Sequence, residues 1–202
     1  MAAVQAPPDT VTPPPAAGRV PRPLHWTREQ YYRLGELGFF RGKRVERIRG
    51  EIVEMSPINW PHELGKIKTA DVLRAVFAGS GWVSQCGPMP VEESDPEPNV
   101  AVYPGAATDY TDHPTNPRLV VEVANTSLVY DTTTKVELYA EAGHREYWVL
   151  DLPNRLLLVF RDPYPIPAGG HTYRTRLTLG PADTVSPLAA PAAVVKVADL
   201  LP

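Results

Sequence analysis

A disulfide needs two cysteines, and this chain of 202 residues has one, Cys86. That excludes an intramolecular crosslink, gives no reason to place the protein in an oxidising compartment, and rules out a cysteine-based metal site. Long apolar runs are missing too. None approaches the roughly 20 residues that span a bilayer, so no membrane partner is predicted. The N-terminus has neither a charged n-region nor an apolar h-region, so no signal peptide is expected and a cytoplasmic location is the default reading. There is no surplus of positive charge: 20 Lys and Arg against 23 Asp and Glu give a formal net charge of −3. A protein that coats nucleic acid wholesale is thereby excluded, though not one with a local basic patch. The histidines show no HxxxH or HxH spacing, which argues against zinc. No serine lies in a GxSxG context, and no glycine-rich phosphate loop occurs.

What is present reads as one globular domain. Hydrophobic residues make up 43% and charged residues 21%, and the length is enough for a real core. Residues 1–23, rich in Pro and Ala and without apolar periodicity, read as a disordered or extended tail. The domain is expected over 24–165. A Pro/Ala-rich C-terminal extension follows at 166–202, with a strand pair around TYRTRLTL and AVVKV. Thr27 and Gln30 have capping-box spacing ahead of a first helix. RVERIRGEIVEM reads as a hairpin turning at Arg49-Gly50. A helix follows from Trp60, with Pro61 in its first turn and Leu64, Ile67, Val72, Ala75 and Val76 as its apolar stripe. WVSQC, MPVEE, NVAVY and RLVVEVA read as strands. DTTTKVELYAEAG reads as one helix stopping at Gly143, and EYWVLD and RLLLVFRD as two more strands, apolar enough for a core or a dimer surface. The order predicts an α/β (α+β) fold: a central mixed sheet flanked by helices, preceded by an N-terminal helix and hairpin.

Three charged residues stand out. Side chains alternate along a strand, so Val120, Glu122 and Ala124 share one face and Leu119, Val121 and Val123 the other. Apolar residues on both faces predict a strand covered on both sides. A carboxylate there needs a cation, a hydrogen-bond network or a place at the strand end, because an unpaired buried charge costs several kcal/mol. Lys135, with Leu138, Tyr139 and Ala142 at helical spacings, lies on or beside an apolar face. It is also four residues after Asp131, the spacing of a solvated ion pair. Glu46 shares a strand face with Arg44 and Ile48, which turns it inward while Arg47 and Arg49 point out; pairing with a basic neighbour across the hairpin is the alternative. The segment RGKRVERIRG is the most basic stretch and a candidate phosphate-contacting edge, or a solvated charged hairpin. His62, near a helix start, is a candidate base or ligand, although a lone histidine is more often structural.

The hairpin glutamate, the turn and strand DPEPNVAVYPG, and the segments VVEVANTSLVYDTTTK and YAEAGHREYWVLD followed by RLLLVFRDP together resemble the Uma2 family, restriction-endonuclease-like proteins of the PD-(D/E)XK nuclease superfamily. The resemblance covers residues 25–165 and is most specific over 118–135 and 139–151. It implies a restriction-endonuclease-like core with an acidic site for Mg²⁺ or Mn²⁺, a DNA substrate and a homodimer. In such sites the metal polarises the phosphodiester and activates water, while a lysine orients that water and stabilises developing charge. By position, Glu122 matches the second acid, Lys135 the lysine displaced from the strand onto the following helix, and Glu46 an acidic hairpin position. Asn99 stands where the family motif has the Asp of its Pro-Asp pair, which removes one negative charge from the ligands Glu122, Asn99 and Glu46. Activity is expected to be lost or weakened, naturally or by engineering, unless Asp95 or Glu97 supplies the missing charge. A non-catalytic nucleic-acid- or protein-binding module on the same fold is the alternative, and a role carried by the Pro-rich tail ranks last. Geometry separates the first two: a nuclease requires Glu46, Asn99, Glu122 and Lys135 in one cleft, and a solvent-facing Lys135 defeats it.

Overall fold

Residues 22–85 and 87–202 are described by the structure, a computed structural model. Most of the N-terminal tail reading, and Cys86, lie outside them. Helix α1, Arg28–Glu36, starts where its capping box predicts. The Gln30 amide donates to Thr27 Oγ1 at 3.2 Å, and the Thr27 amide donates to Gln30 Oε1 at 3.0 Å. Strands β1, Val45–Ile48, and β2, Glu51–Glu54, form the hairpin. Its two turn residues, Arg49 (φ 51°) and Gly50 (φ 77°), both sit in the left-handed region that a type I′ turn requires.

The centre of the molecule is a six-stranded sheet. Its strands are β3 (Gly81–Ser84), β4 (Val100–Pro104), β5 (Leu119–Ala124), β6 (Glu146–Asp151), β7 (Leu156–Pro165) and β8 (His171–Leu179), adjacent in that order. All neighbours run antiparallel except β5 and β6. Parallel neighbours need a crossover, supplied here by α3, Leu128–Thr132, and α4, Thr134–Glu141. TYRTRLTL is therefore part of the main sheet, while AVVKV contributes β10 (Val195–Lys196) to a small ribbon with β9 (Thr184–Val185). The chain closes with α5, Val197–Leu200.

The alternation read in β5 holds on both faces. Leu119, Val121 and Val123 pack in one core with Trp148 and Leu150, beneath α5 and the long helix α2, Trp60–Val76. Val120 and Ala124 pack in the other with Tyr147, Val149, Phe160 and residues of α4. Every residue of β6 is buried, so the EYWVLD strand is core and not a dimer surface.

Four local expectations fail, each for a physical reason. The fully buried face of α2 is Gly65, Lys66, Thr69, Ala70 and Leu73; of the expected stripe Val72 and Val76 pack against the core, while Ala75 is exposed. A Cβ at Gly65 would lie 3.2 Å from both Val123 and Leu152, so small residues let the helix approach the sheet. The segment MPVEE is no strand: Val91 only bridges to Ser94 around a turn with Glu92 at φ 40°. The single helix expected over 131–143 starts earlier and breaks at Thr133 (φ −121°, ψ −79°). There the Thr132 and Thr133 hydroxyls donate to the carbonyls of Leu128 and Val129, both at 2.6 Å, competition that bends helices. Arg47 does not point out. It is 3% exposed, with Nε 2.7 Å from Asp95 Oδ2.

The C-terminal segment is tied to the sheet through Glu146. Oε1 accepts from Trp148 Nε1 at 2.9 Å and Arg161 Nε at 2.8 Å, and Oε2 accepts from the Leu188 amide at 2.6 Å. Glu146→Ala strands a partly buried guanidinium and a buried indole N–H. It is expected to cost about 3 kcal/mol or more of unfolding free energy, read as a lower urea midpoint, with faster hydrogen exchange at the Leu188 amide.

Candidate active site

Asn99 immediately precedes β4 and lies beside Glu122 on β5. The two strands are laced there by a reciprocal pair of bonds. The Asn99 amide donates to Glu122 Oε2 at 3.1 Å, and the Val123 amide donates to Asn99 Oδ1 at 2.7 Å. Above this point the break at Thr133 starts α4, which buries Lys135 to 1% exposure. Its Nζ lies 3.1 Å from Glu122 Oε1 and 2.6 Å from Glu46 Oε2. Glu46 Oε2 is buried and has the Lys135 ammonium as its charge partner. Tyr139, one turn along α4, donates its hydroxyl to Glu122 Oε1 at 2.9 Å.

Glu46, Asn99, Glu122 and Lys135 thus line one cavity of about 40 Å³, together with His62, Asp131, Glu97 and Arg44. That space holds an ion or a water or two. Glu46 pairs with Lys135 rather than with a basic residue across its hairpin. The basic stretch of the hairpin is largely spent on ion pairs: Lys43 with Glu54, Arg47 with Asp95, and Arg49 with Glu137 and Glu141. Arg44 is the one of its basic residues that lines the cavity. Of the two acids offered as substitutes at position 99, Asp95 is engaged on both oxygens, by Arg28 and Arg47 at 2.7 Å each. Glu97 reaches the cavity wall. Among the described residues, however, no three His, Cys, Asp or Glu side chains converge as a metal-holding group, so Glu97 does not complete a three-acid set with Glu46 and Glu122.

The electrostatics follow from one cation among buried acids. Burial by itself would lower the Lys135 pKa, but Glu122 and Glu46 together outweigh it and hold the amine above its ordinary value, so it stays protonated. Burial, and after it the charge of Glu46, raises the Glu122 pKa against the opposing pull of Lys135. Asp131 is raised to about 7, first by burial and then by Glu122. One ammonium does not balance that many buried carboxylates, and the cluster resists full ionisation. Burial, then Arg44 and Lys66, lower the His62 pKa, so its ring is neutral near pH 7. Its Nδ1 is buried without a hydrogen-bond partner.

Asp131 and Tyr139 were not singled out from sequence as site residues. The Asp131–Lys135 spacing reads as a solvated pair, yet Asp131 is 3% exposed and accepts from Ser127 Oγ at 2.6 Å. The helix break turns both residues inward, and the three consecutive threonines were its only sequence signal. Tyr139 reads as part of an apolar stripe, and only its hydroxyl distinguishes it.

Two outcomes are expected. A carboxyl whose folded pKa lies above its unfolded value of 3.8 stabilises the fold at low pH, and that contribution fades as pH rises to about 7. Asp131→Asn should therefore gain stability relative to the unmodified protein as pH rises from about 4 to about 7, in urea titrations of both. The comparison must be differential, because the buried His144, lowered to about 4, tilts the profile the opposite way over the same window. Lys135→Met leaves Glu46 and Glu122 buried without their cation, and a loss of about 3–5 kcal/mol in the same titration is expected at neutral pH.

A comparison with solved structures finds a crystal structure from Anabaena variabilis described as a "putative nuclease". It superposes with a TM-score of 0.63 over 86% of this chain and 96% of that one, at 13% sequence identity. That likeness shows a shared fold. Comparison with curated proteins returns no match. The family model Uma2, described as "Putative restriction endonuclease", matches residues 28–198, from the start of α1 into α5. That span takes in every element that builds the cavity as well as the whole central sheet, and on it the chain belongs to the Uma2 family.

Proposed function

We propose that this protein is a metal-dependent phosphodiester hydrolase acting on DNA, with activity weakened by Asn99. Nuclease-like function is what the family carries. The observation supporting the finer reading is the burial of Lys135 between Glu46 and Glu122 on the wall of one cavity that also receives Asn99. A solvent-facing lysine would have argued against it.

The residues present fit a hard divalent cation, though weakly. Glu46 Oε2 faces Lys135 and Glu122 lies beside it, while the Asn99 amide oxygen has a second lone pair besides the one facing the Val123 amide. Mg²⁺ characteristically uses one or two protein carboxylates and takes its other oxygens from water and phosphate. Glu46, Glu122 and Asn99 would hold the ion, which supplies Lewis-acid polarisation of the phosphodiester and a lowered pKa for attacking water. The chain does the rest. Lys135, buried and protonated between two carboxylates, offers its charge where negative charge develops on phosphorus-bound oxygens. Tyr139 and the Asn99 amide hold Glu122 in orientation. Arg44, at the cavity, meets a flanking phosphate.

Asn99 costs the site one negative charge while keeping the backbone bond that Asp would also make. This favours, as a second reading, a member of the fold that binds nucleic acid without cutting it. Plasmid nicking with Mn²⁺ separates the two. Asn99→Asp is expected to raise nicking about tenfold or more and to enlarge the rise in Tm on adding Mn²⁺. Lys135→Ala on the Asp background should abolish nicking. Should Asn99→Asp neither nick nor respond to Mn²⁺ while remaining folded, the binding reading takes its place.

A further inference from the structure

Next to the candidate active site is a second cavity that the chemistry above does not use. Its volume is about 240 Å³, and it is lined by Tyr31, Tyr32 and Glu36 of α1, Phe40, Asp95 and Glu97. Glu97 lines both cavities, so the two share a wall. Whatever sits in the second touches the same carboxylate side chain as whatever sits in the first.

The second cavity is walled by rings. Tyr31 and Phe40 have centroids 5.5 Å apart, and Tyr31 and Tyr32 likewise. Tyr31 is immobilised by donating its hydroxyl to the Val45 carbonyl at 2.9 Å. Tyr32, 36% exposed, leaves its ring open to an incoming group. The volume is below the roughly 300–1,000 Å³ of pockets that enclose drug-sized ligands, and suits a single planar ring system. The acids around it differ in availability. Asp95 is taken on both oxygens by Arg28 and Arg47, and Glu36 pairs with Arg33 at 2.8 Å. Glu97, half-buried, has no hydrogen bond or ion pair among the described residues. The free polar group is therefore an acceptor, set at the edge of an aromatic slot, on the side facing the reactive cavity.

We infer that this cavity is a nucleobase subsite: it receives a base turned out of the stack beside the phosphate at the candidate active site, stacks it on the exposed Tyr32 ring with Tyr31, at 62° to that ring, meeting the base edge-on, and accepts a hydrogen bond from its exocyclic amino group at Glu97. The inference rests on the nucleic-acid reading of that site. Adenine and cytosine carry such an amino group and thymine does not. A base can enter only when it is unstacked and unpaired, so the favoured substrate is single-stranded DNA, or duplex with a gap or bulge.

The test is binding, not cleavage, made in EDTA with the whole chain and fluorescein-labelled 12-mers of dA, dC, dT and abasic deoxyribose phosphate at one ionic strength. Stacking on a protein ring contributes about 1–3 kcal/mol per base. The dA and dC oligomers are accordingly expected to bind about tenfold tighter than the abasic one, with dT between. Tyr32→Ala should remove most of the advantage over abasic DNA and leave abasic binding unchanged, while Tyr32→Phe keeps the advantage. Glu97→Gln should narrow the gap between dC and dT. Equal binding of all four oligomers, or a base advantage that survives Tyr32→Ala, would overturn the subsite while leaving the nuclease reading standing. Failure to bind any oligomer would overturn the subsite as well, and nicking of plasmid with Mn²⁺ decides the nuclease reading separately.

Discussion

A protonated lysine enclosed by carboxylates organises this molecule. Lys135 lies 2.6 Å from Glu46 and 3.1 Å from Glu122, and all three side chains are 5% exposed or less. Burying an ammonium alone costs several kcal/mol, so the hairpin that carries Glu46, the strand that carries Glu122 and the helix that carries Lys135 must be assembled together or not at all. The kink at Thr133 has its reason here. A straight helix from 128 to 141 would set Lys135 differently, and the two threonine hydroxyls that bond back to Leu128 and Val129 reshape the backbone just before it. Local backbone chemistry, charge burial and the docking of the hairpin are thus one constraint seen at three scales.

That constraint also explains what was readable in advance. Glu122 was legible because a carboxylate in an aliphatic run on a two-faced strand is energetically conspicuous, and the two cores on either side of β5 match the alternation. Lys135 and Glu46 were legible only through the likeness of their segments to a family, since taken alone each has an ordinary surface explanation. The choice between those explanations is made by long-range docking, which no local window contains. The same limit hid Arg47. Its alternation places it opposite Glu46, toward solvent, but Asp95, 48 residues later, folds back over the hairpin and closes the pair inside. For α2, apolar spacing was only part of the signal. Leu73, Val72 and Val76 pack in the core, but at Gly65 closeness of approach to Val123 and Leu152 sets the contact.

Asn99 can be understood within the same network. Its Oδ1 accepts the Val123 amide while its own amide supports Glu122, so the residue is first a stitch between β4 and β5. An aspartate would make the same stitch and add a negative charge to a pocket where Glu122 and Asp131 already hold protons above their ordinary pKa values. Without a divalent ion, that extra charge would be costly; with one, it would be the strongest ligand available. Asparagine therefore favours a site stable without metal and, on the proposed reading, would lower its affinity for one. On that reading, the site's chemistry would then depend on what a bound phosphate contributes.

The nearby aromatic cavity extends this dependence from charge to shape. On the proposed reading, a site with two carboxylates and a neutral amide would grip an ion loosely, and the substrate's own oxygens would complete the coordination shell. A loosely held centre benefits most when the phosphate is positioned by something other than the metal. Stacking a neighbouring base on Tyr32, as proposed, would supply that positioning without adding charge. It would also do so from the side where Glu97, not Asp95, has a free oxygen. Weak metal binding and base capture, as proposed, would in this sense be complementary: the second would reduce the entropy that the first leaves unrestrained.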